Sequence, residues 1–354
     1  MELEVGFATD VGRQRQRNED SFAVHVPATG LEDTGSGSDD RLSLSGLMLV
    51  ADGMGGERAG DRASQITAER LRDWFVDGTY REWPEATGPG GLEAALGRAI
   101  RAVSQEIYEL GEGDPNIRGL GSTVVVGLLS QDRLVLGHVG DSRCYRLRGS
   151  TLELLTTDHS WVQRQVDAGV ISAEAARSHP QRNILTRSLG DSLPPEVDIA
   201  SYEVRHGDLY VLCSDGLTGG VSDGEILKMS LLGKTPQMLA ESLVHLANEQ
   251  DGSDNITCVV GRACEAGKTL LDSDMENRTT QQLMLDEEFY EDETRVDIPL
   301  PERNQAGADW KTWVSAAVLA VALGLLASWL VQHAQTDATQ SSEERVGAPT
   351  APPG

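Results

Sequence analysis

The amino-acid sequence predicts a layered α/β fold over its first 262 residues. Short apolar runs, typical of buried strands, alternate with longer stretches in which apolar residues recur at helical spacing. The chain has 354 residues, enough for one large domain with a sizeable core and for additional segments. Many strands interleaved with a few helices are expected to pack in layers, and this is the fold class that we predict.

Three amphipathic helices are predicted, at 61–75, 92–110 and 235–249. In the third helix, Thr235 is expected to be the N-cap and Pro236 to lie in the first turn. Strand-like apolar runs lie between and after these helices: 47–51, 122–129, 134–140, 209–213 and 256–260.

Five aspartates lie in short motifs along this domain, and three of them close an apolar run. They are Asp20 in RQRNEDSF (15–22), Asp52 in LMLVADGMGG (47–56), Asp141 in LVLGHVGDSR (134–143), Asp215 in LYVLCSDGLTGG (209–220) and Asp254 in GSDNITCVV (252–260). A buried strand that ends in Asp-Gly delivers a carboxylate to its tip, although a single Asp-Gly pair is most often a turn. Several such tips converging in one fold would form an oxygen-rich cage for hard divalent cations.

Together and in this order, the motifs resemble those of the type 2C (PPM) family of metal-dependent protein serine/threonine phosphatases. The matching blocks are TDVGRQRQRNEDS (9–21), ADGMGG (51–56), VGDSR (139–143), NILTRSLG (183–190), SDGL (214–217) and SDNIT (253–257). The resemblance covers residues 1 to about 262. It implies a central β-sandwich of two antiparallel sheets flanked by helices. It also implies hydrolysis of phosphoserine and phosphothreonine on proteins by a water that bridges two divalent metals.

The same resemblance implies a set of metal ligands. Asp52 would bridge the two ions, and the backbone carbonyl of Gly53 would bind one of them. Asp215 and Asp254 would complete the shell of the other ion, and Asp141 matches a ligand of a third, weaker ion. Because the set consists of carboxylates and a carbonyl, we expect Mn²⁺ or Mg²⁺, as two or three ions.

Three further residues of the first block are assigned by the resemblance. Glu19 would be a water-mediated metal ligand, and Asp20 would support the site from behind the ligands. Arg15 matches the phosphate-binding arginine, whose planar fork can take two phosphate oxygens at once.

The acid that protonates the leaving group is not evident. Eukaryotic members of the family carry a His after the Asp-Gly pair, whereas this chain has Met54, as bacterial members commonly do. Met cannot donate a proton, so water or another group would have to protonate the leaving alkoxide. His138 lies in an apolar run and is expected to be a packed core residue, which leaves His159 as a weak candidate.

Composition limits the environment and the partners of this domain. The formal net charge of −26 argues against nucleic acid as a partner, because phosphate contacts need clustered Lys and Arg. Four cysteines show no C-x-x-C spacing and are expected to be buried thiols in a reducing compartment. The N-terminus lacks the features of a signal peptide, so we expect the phosphatase domain to be cytoplasmic.

The rest of the chain is expected to be a linker, a membrane span and a tail. Residues 263–312 are acidic and predicted to be a disordered linker, and 332–354 a short polar tail. Between them, 313–331 is predicted to be a transmembrane helix, because 18 consecutive residues from 314 carry no charge and would span about 27 Å. A stripe of small residues in this helix could pair two copies as a homodimer: Ala316, Ala320, Gly324 and Ser328.

The main hypothesis is therefore a single-pass membrane protein that opposes a bacterial Ser/Thr kinase by dephosphorylating its substrate proteins. An alternative from the binding class is a pseudophosphatase scaffold, which grips phosphoproteins at the membrane without hydrolysing them. A third reading is a structural calcium-binding protein, but the loop D-x-[DN]-x-[DN]-G that it favours is absent from the sequence. Metal-dependent turnover would distinguish the first hypothesis from the other two.

Overall fold

Two antiparallel β-sheets lie face to face at the centre of the molecule. The computed structural model of the chain describes residues 1–27, 44–55, 60–86, 88–114 and 117–265. Leu3 and Val259 from one sheet pack with Met48, Val50 and other buried side chains of the second sheet.

The first sheet has five strands in the spatial order β1–β11–β10–β7–β8, all of them antiparallel to their neighbours. Its strands are β1 (Glu2–Asp10), β7 (Arg143–Arg148), β8 (Thr151–Leu154), β10 (Leu209–Cys213) and β11 (Ile256–Cys264). The strands β10 and β11 are buried along nearly their whole length, as expected for the middle of a covered sheet.

The second sheet follows the order β2–β3–β5–β6–β9, and the short strand β4 pairs with the end of β3. Its strands are β2 (Asp20–His25), β3 (Gly46–Met54), β4 (Gly121–Ser122), β5 (Val124–Ser130), β6 (Arg133–Val139) and β9 (Asp198–Glu203).

Helices cover the outer face of each sheet. Helices α1 (Gly60–Val76) and α2 (Gly91–Gly113) pack on the second sheet, where Leu71 and Ile100 are fully buried. The outer face of the first sheet is covered by α5 (Asp215–Gly220), α6 (Asp223–Leu231) and α7 (Pro236–Gln250). Two short helices, α3 (Trp161–Asp167) and α4 (Ala173–Arg177), lie in the excursion between β8 and β9.

The predicted α/β fold, with two antiparallel sheets flanked by helices, is confirmed. The three predicted helices agree with α1, α2 and α7 to within three residues at each end. Thr235 is the N-cap of α7, its hydroxyl accepting a hydrogen bond from the Met238 amide at 3.3 Å, and Pro236 is the first helical residue.

The C-terminal predictions fall outside the described residues. Only the first three residues of the predicted linker 263–312 are described, and the predicted span 313–331 and tail 332–354 are not. Among the helices that are described, none is long and apolar enough to cross a membrane. Strand β11 continues to Cys264, two residues beyond the predicted domain end.

All four cysteines are free thiols, but only three of them are buried as predicted. Cys144, Cys213 and Cys258 are buried in neighbouring strands of the first sheet, and Cys264 is partly exposed at the end of β11. Burial raises the pKa of all four thiols, that of Cys213 to about 12.

Candidate active site

The acidic motif residues lie where strand ends and loops of the two sheets meet. Asp20 begins β2 and lies directly opposite Asp52 on β3. In the other sheet, Asp215 follows β10 and Asp254 precedes the adjacent strand β11. Asp141, in the turn between β6 and β7, lines one cavity of about 360 Å³ together with Asp215 and Asp254.

These carboxylates are close enough to repel one another. Burial, and then the neighbouring charges of Asp20, Asp215 and Asp141, raise the pKa of Asp52 well above its ordinary value. Burial also raises the pKa of Asp20 to about 7. Burial is the largest cause of the raised pKa of Asp141, and the charge of Asp215 is the next. Burial also raises the pKa of Asp215, followed by the charge of Asp254. Bound divalent cations would relieve this repulsion.

Two oxygens of the cluster have no protein partner within the described part of the chain. Oδ1 of Asp20 and Oδ1 of Asp215 are buried without a hydrogen bond, whereas Oδ2 of Asp20 accepts one from the Ser214 hydroxyl at 2.7 Å. A buried carboxylate oxygen costs free energy unless it is paired. Since the surrounding groups are other oxygens, the residues fit a hard cation such as Mn²⁺ or Mg²⁺.

The backbone at Gly53 is packed too closely for any side chain. A Cβ at this position would lie 2.0 Å from the Gly60 carbonyl oxygen and 2.7 Å from the Glu19 carbonyl oxygen. A Cβ on Gly60 would in turn lie 2.8 Å from both the Gly53 carbonyl oxygen and Oε1 of Glu19. The Gly53 carbonyl and the Glu19 carboxylate therefore lie beside the same small gap, as a shared cation site would require.

A hydroxyl group connects the Asp52 strand to the turn that holds Asp141. Oγ1 of Thr123 accepts a hydrogen bond from the Asp52 amide at 3.0 Å and lies 2.7 Å from Oγ of Ser142. Gly140, just before Asp141, has a φ of 112°, and a Cβ there would lie 2.6 Å from Thr123 Cβ. The position of Asp141 relative to Asp52 is thus fixed through Thr123.

Asn255 connects the first motif to the last. Its side-chain oxygen accepts a hydrogen bond from the Glu19 amide at 2.7 Å, and its amide group donates to the carbonyls of Val11 and Arg17 at 2.9 and 2.8 Å. Asn255 is 4% exposed, so these bonds are sheltered from water. The sequence contains this residue in the SDNIT block, but nothing in the local pattern indicates that it holds a loop some 240 positions away.

Arg15 lies at the rim of the cluster. Its Nη2 donates to Oδ2 of Asp254 at 2.8 Å, and about half of its side-chain surface is exposed. This hydrogen bond, together with the charges of Asp254, Glu19 and Asp52, raises the pKa of the guanidinium despite partial burial. A permanently charged, accessible Arg at the edge of an acidic cavity is suited to receive a phosphate group.

No leaving-group acid is found at the positions considered from the sequence. Met54 ends β3 opposite Gly121 and has no proton to give. His138 is 2% exposed and is a core residue, as expected. Both ring nitrogens of His159 form hydrogen bonds: Nδ1 with the Gly140 amide at 3.1 Å and Nε2 with Oδ2 of Asp198 at 3.1 Å. His159 does not line the cavity of the carboxylates.

A second cluster, formed by His138, His159 and Asp198, has ligand-type atoms within 4.8 Å of one another. Its hydrogen bonds do not suit a metal ion. Because a backbone amide can only donate, Nδ1 of His159 must be the acceptor and Nε2 must carry the proton that would have to leave for a metal to bind. Nη1 of Arg187 also lies 3.1 Å from this Nε2, which places a positive charge at the same point.

Comparisons with known proteins place the described domain among similar chains. A family model described as protein phosphatase 2C matches residues 31–260. The serine/threonine phosphatase stp of Listeria innocua is 35% identical over 258 residues, covering 73% of this chain and 95% of that protein.

Solved structures give the same result. The crystal structure of the serine/threonine phosphatase PstP/Ppp of Mycobacterium tuberculosis has a TM-score of 0.62 and 36% identity, covering 75% of this chain and 100% of that chain. A structure of the PstP catalytic domain in complex with two manganese ions has a TM-score of 0.60 and 35% identity, covering 74% of this chain and 99% of that chain.

Proposed function

This chain belongs to the protein phosphatase 2C family of metal-dependent serine/threonine phosphatases, and we propose that the carboxylates around Asp52 form its active site. This site would hydrolyse phosphoserine and phosphothreonine on proteins. The observation that supports this most directly is the convergence of the carboxyl groups, two of which keep a buried oxygen without a hydrogen-bond partner among the described residues. An acidic cavity of this kind cannot bind a phosphate dianion until cations have neutralised it.

The proposed ligand roles are those that the family resemblance implies. Asp52, whose pKa is raised by burial and by the charges of the other four aspartates, would be shared between two ions, and the Gly53 carbonyl would bind one of them. Asp215 and Asp254 would hold the second ion, and Asp141 a third. When bound, such ions supply a water-derived nucleophile at neutral pH and neutralise charge on the phosphate.

Two other acidic residues would act around the ligands. Glu19, whose carboxylate lies beside the Gly53 carbonyl, would contact an ion through water. Asp20 would keep its Oδ2 on the Ser214 hydroxyl and so hold the end of β2 against the loop after β10.

Arg15 is proposed to orient the substrate. Nη2 of Arg15 donates to Asp254, a proposed metal ligand, so phosphate and metal binding would change the same contact. A planar guanidinium can hold two phosphate oxygens and so orient the phosphorus for attack from the side opposite the ester oxygen. The leaving alkoxide would be protonated by water, since Met54 lies where a proton donor would otherwise be expected.

The test is turnover by the full chain. We expect hydrolysis of p-nitrophenyl phosphate and of a phosphothreonine peptide with Mn²⁺ or Mg²⁺, none in EDTA, and a loss of at least about 100-fold in kcat for Asp52→Asn. Asp73→Asn, which changes an exposed carboxylate on α1, is the matched control and should keep wild-type turnover. A folded protein that binds Mn²⁺ and phosphopeptide but hydrolyses nothing would instead be the pseudophosphatase scaffold.

The membrane context is a proposal from the sequence alone. The uncharged run 314–331 would anchor the protein as a single-pass membrane protein with its phosphatase domain in the cytoplasm, where a Ser/Thr kinase would phosphorylate the shared substrates. We expect the full chain to remain in the membrane fraction after a carbonate wash, and the double change Val318→Arg and Leu325→Arg to release it. Crosslinking in membranes tests the proposed homodimer: a monomer would rule it out.

A further inference from the structure

Besides Thr123, the segment of residues 156–160 holds the turn that carries Asp141. Oγ1 of Thr156 accepts a hydrogen bond from the Cys144 amide at 3.2 Å. Asp158 accepts two bonds from the Arg143 guanidinium, at 2.9 and 2.7 Å. These contacts fix the start of β7, on the C-terminal side of Asp141.

His159 fixes the other side of the turn by binding both polar groups of Gly140. The Gly140 amide donates to Nδ1 of the imidazole at 3.1 Å, and the Gly140 carbonyl accepts from the His159 amide at 2.8 Å. Because Gly140 has a positive φ and packs on Thr123, its peptide has little freedom to rotate once these bonds form. Asp141 is the next residue, so the direction of its backbone is set here.

The imidazole itself is held in one tautomer and one orientation. Nε2 carries the proton and donates to Oδ2 of Asp198 at 3.1 Å, while Nη1 of Arg187 donates to the other oxygen at 2.9 Å. The ring packs against that of His138, with the ring centres 4.5 Å apart and the planes inclined by 37°, and His159 is 6% exposed.

The same residue also joins the segment that borders the cavity. The His159 carbonyl accepts from the Thr186 amide at 2.7 Å, and Ser160 forms an isolated bridge with Leu185. The excursion between β8 and β9, which supplies one wall of the cavity, is therefore attached at the point that positions Asp141.

We propose that His159 is a positioning residue for the third divalent cation. Its Nδ1 holds the Gly140 peptide, and through it the Asp141 carboxylate, in the direction that binds this ion. The inference rests on the proposed function, because it takes Asp141 to be a ligand.

Two substitutions of His159 separate this role from mere packing. The side-chain oxygen in His159→Asn can take the place of Nδ1 and accept the Gly140 amide. His159→Gln places its amide near the position of Nε2, where it can still donate to Asp198, and lacks the acceptor at Nδ1. We expect Mn²⁺ titration calorimetry on the full chain to show a weak-site Kd raised about tenfold or more in His159→Gln, with the tight sites unchanged. In His159→Asn the weak-site Kd should stay within about threefold of the wild type.

Asp198→Asn gives a second test that leaves His159 in place. An amide group at position 198 can donate to Nε2, which moves the ring proton to Nδ1, where it meets the Gly140 amide. We expect this variant to raise the weak-site Kd about tenfold as well, whereas Glu196→Gln, which changes the other partner of Arg187, should not.

Three results would overturn the inference: equal loss of weak-site affinity in His159→Asn and His159→Gln, wild-type affinity in His159→Gln, or two sites only in the wild type. Thermal melting in EDTA shows whether each variant is folded, and a purely structural role would move only this melting temperature. Turnover of the phosphothreonine peptide by the wild type is measured separately. A protein that binds three ions without turnover contradicts the proposed function. The calorimetric binding data would still test the role of His159 in that case.

Discussion

Gly53 and Arg15 are the two residues at which single changes test the site most directly. At Gly53, replacement by Ala places a methyl group 2.0 Å from the Gly60 carbonyl oxygen, so α1 or the end of β3 must move. We expect Gly53→Ala to lower the free energy of unfolding by about 1–3 kcal/mol and to weaken Mn²⁺ binding, as measured by chemical denaturation and calorimetry.

The control for this change is Gly224→Ala. Gly224 lies in the first turn of α6, where a Cβ would meet no atom of the described residues within 4 Å, and Ala favours the helix by up to about 1 kcal/mol. If Gly53→Ala were as stable and as active as Gly224→Ala, the close packing at the Gly53 carbonyl would have no bearing on the site.

Arg15 is expected to be sensitive even to Lys. Lys keeps the charge but cannot hold two phosphate oxygens in a planar fork, so we expect Arg15→Lys to lower kcat/KM for a phosphothreonine peptide by about 10-fold to 100-fold. Arg17→Lys, at a more exposed position whose Nη1 lies 4.0 Å from the Asp61 carboxylate, should leave kcat/KM unchanged. Equal effects of the two substitutions would show that only the net charge of this loop matters.

The sequence indicated the site residues that belong to a short, local motif. Asp52 lies near the end of β3 and Asp215 just after β10, and in the sequence each closes an apolar run, so their positions follow from a few neighbouring residues. Thr123, Ser214 and Asn255 were not assigned a role, because their hydrogen bonds join segments that are far apart in the sequence. A polar side chain with only such partners looks like an ordinary loop or strand residue in the sequence.

At the scale of secondary structure, the strands that were not predicted are mostly those at the edges of the sheets. The first sheet ends in β1 and β8, and the second in β2 and β9. These strands contain partly exposed residues along their length, and β9 reads DIASYE. An edge strand does not need the continuous apolar run that identifies a central strand such as β10, so periodicity alone does not reveal it.

The helices α6 and α7 depend on their N-caps. In α6 the Ser222 hydroxyl accepts the Glu225 amide at 3.3 Å, and the Glu225 carboxylate accepts the Ser222 amide at 2.8 Å. We expect Ser222→Ala to lower the free energy of unfolding by about 1 kcal/mol and to leave the Mn²⁺ affinity unchanged, measured by denaturation and calorimetry.

Ser150→Ala is the corresponding control, because Ser150 is exposed in the turn between β7 and β8. It should be neutral to within about 0.5 kcal/mol. A loss of metal binding in Ser222→Ala would show that the carboxylate site depends on the N-cap of α6, contrary to this expectation.

At the scale of the whole molecule, a rise in pH should lower the folding stability of the metal-free protein, and bound metal ions should raise it. Asp20, Asp52, Asp141 and Asp215 all have raised pKa values, that of Asp20 being about 7, so the metal-free folded state retains protons that the unfolded chain has lost. The stability of the metal-free protein is therefore expected to fall as the pH rises from about 4, the pKa of an unfolded Asp, through about 7.

Differential scanning calorimetry at pH 5.5 and 7.5 checks this expectation. The melting temperature of the metal-free protein should be lower at pH 7.5, and Mn²⁺ should raise it more at pH 7.5 than at pH 5.5. Binding of Mn²⁺ near neutral pH should also release protons, seen as a calorimetric heat that depends on the buffer. Burial lowers the pKa of His138 to about 4 and also lowers that of His159, so these two groups stabilise the folded state as the pH rises over the same range. Asp52→Asn keeps both histidines, and the same pH dependence in this variant as in the wild type would contradict the repulsion between the carboxylates.

The pattern of apolar and polar residues alone did not predict how the sheets and helices are arranged in layers. Strands and helices were predicted from periodicity, which is the same whether the strands form one sheet or two. The sandwich followed from the family resemblance. In the structure it depends on contacts such as that between the two sheets at Gly261, where a Cβ would lie 2.2 Å from Met48 Sδ. Such a contact joins residues more than 200 positions apart and leaves no mark in either strand alone.

The buried thiols of the first sheet also decide how this phosphatase would respond to oxidants. Phosphatases that use a cysteine nucleophile keep it as a thiolate, which peroxide oxidises and iodoacetamide alkylates. Here Cys144, Cys213 and Cys258 are buried with raised pKa values, and the proposed chemistry needs no sulfur. Oxidative stress would therefore silence thiol-dependent phosphatases and leave this one active, so that dephosphorylation by it would persist while theirs stopped.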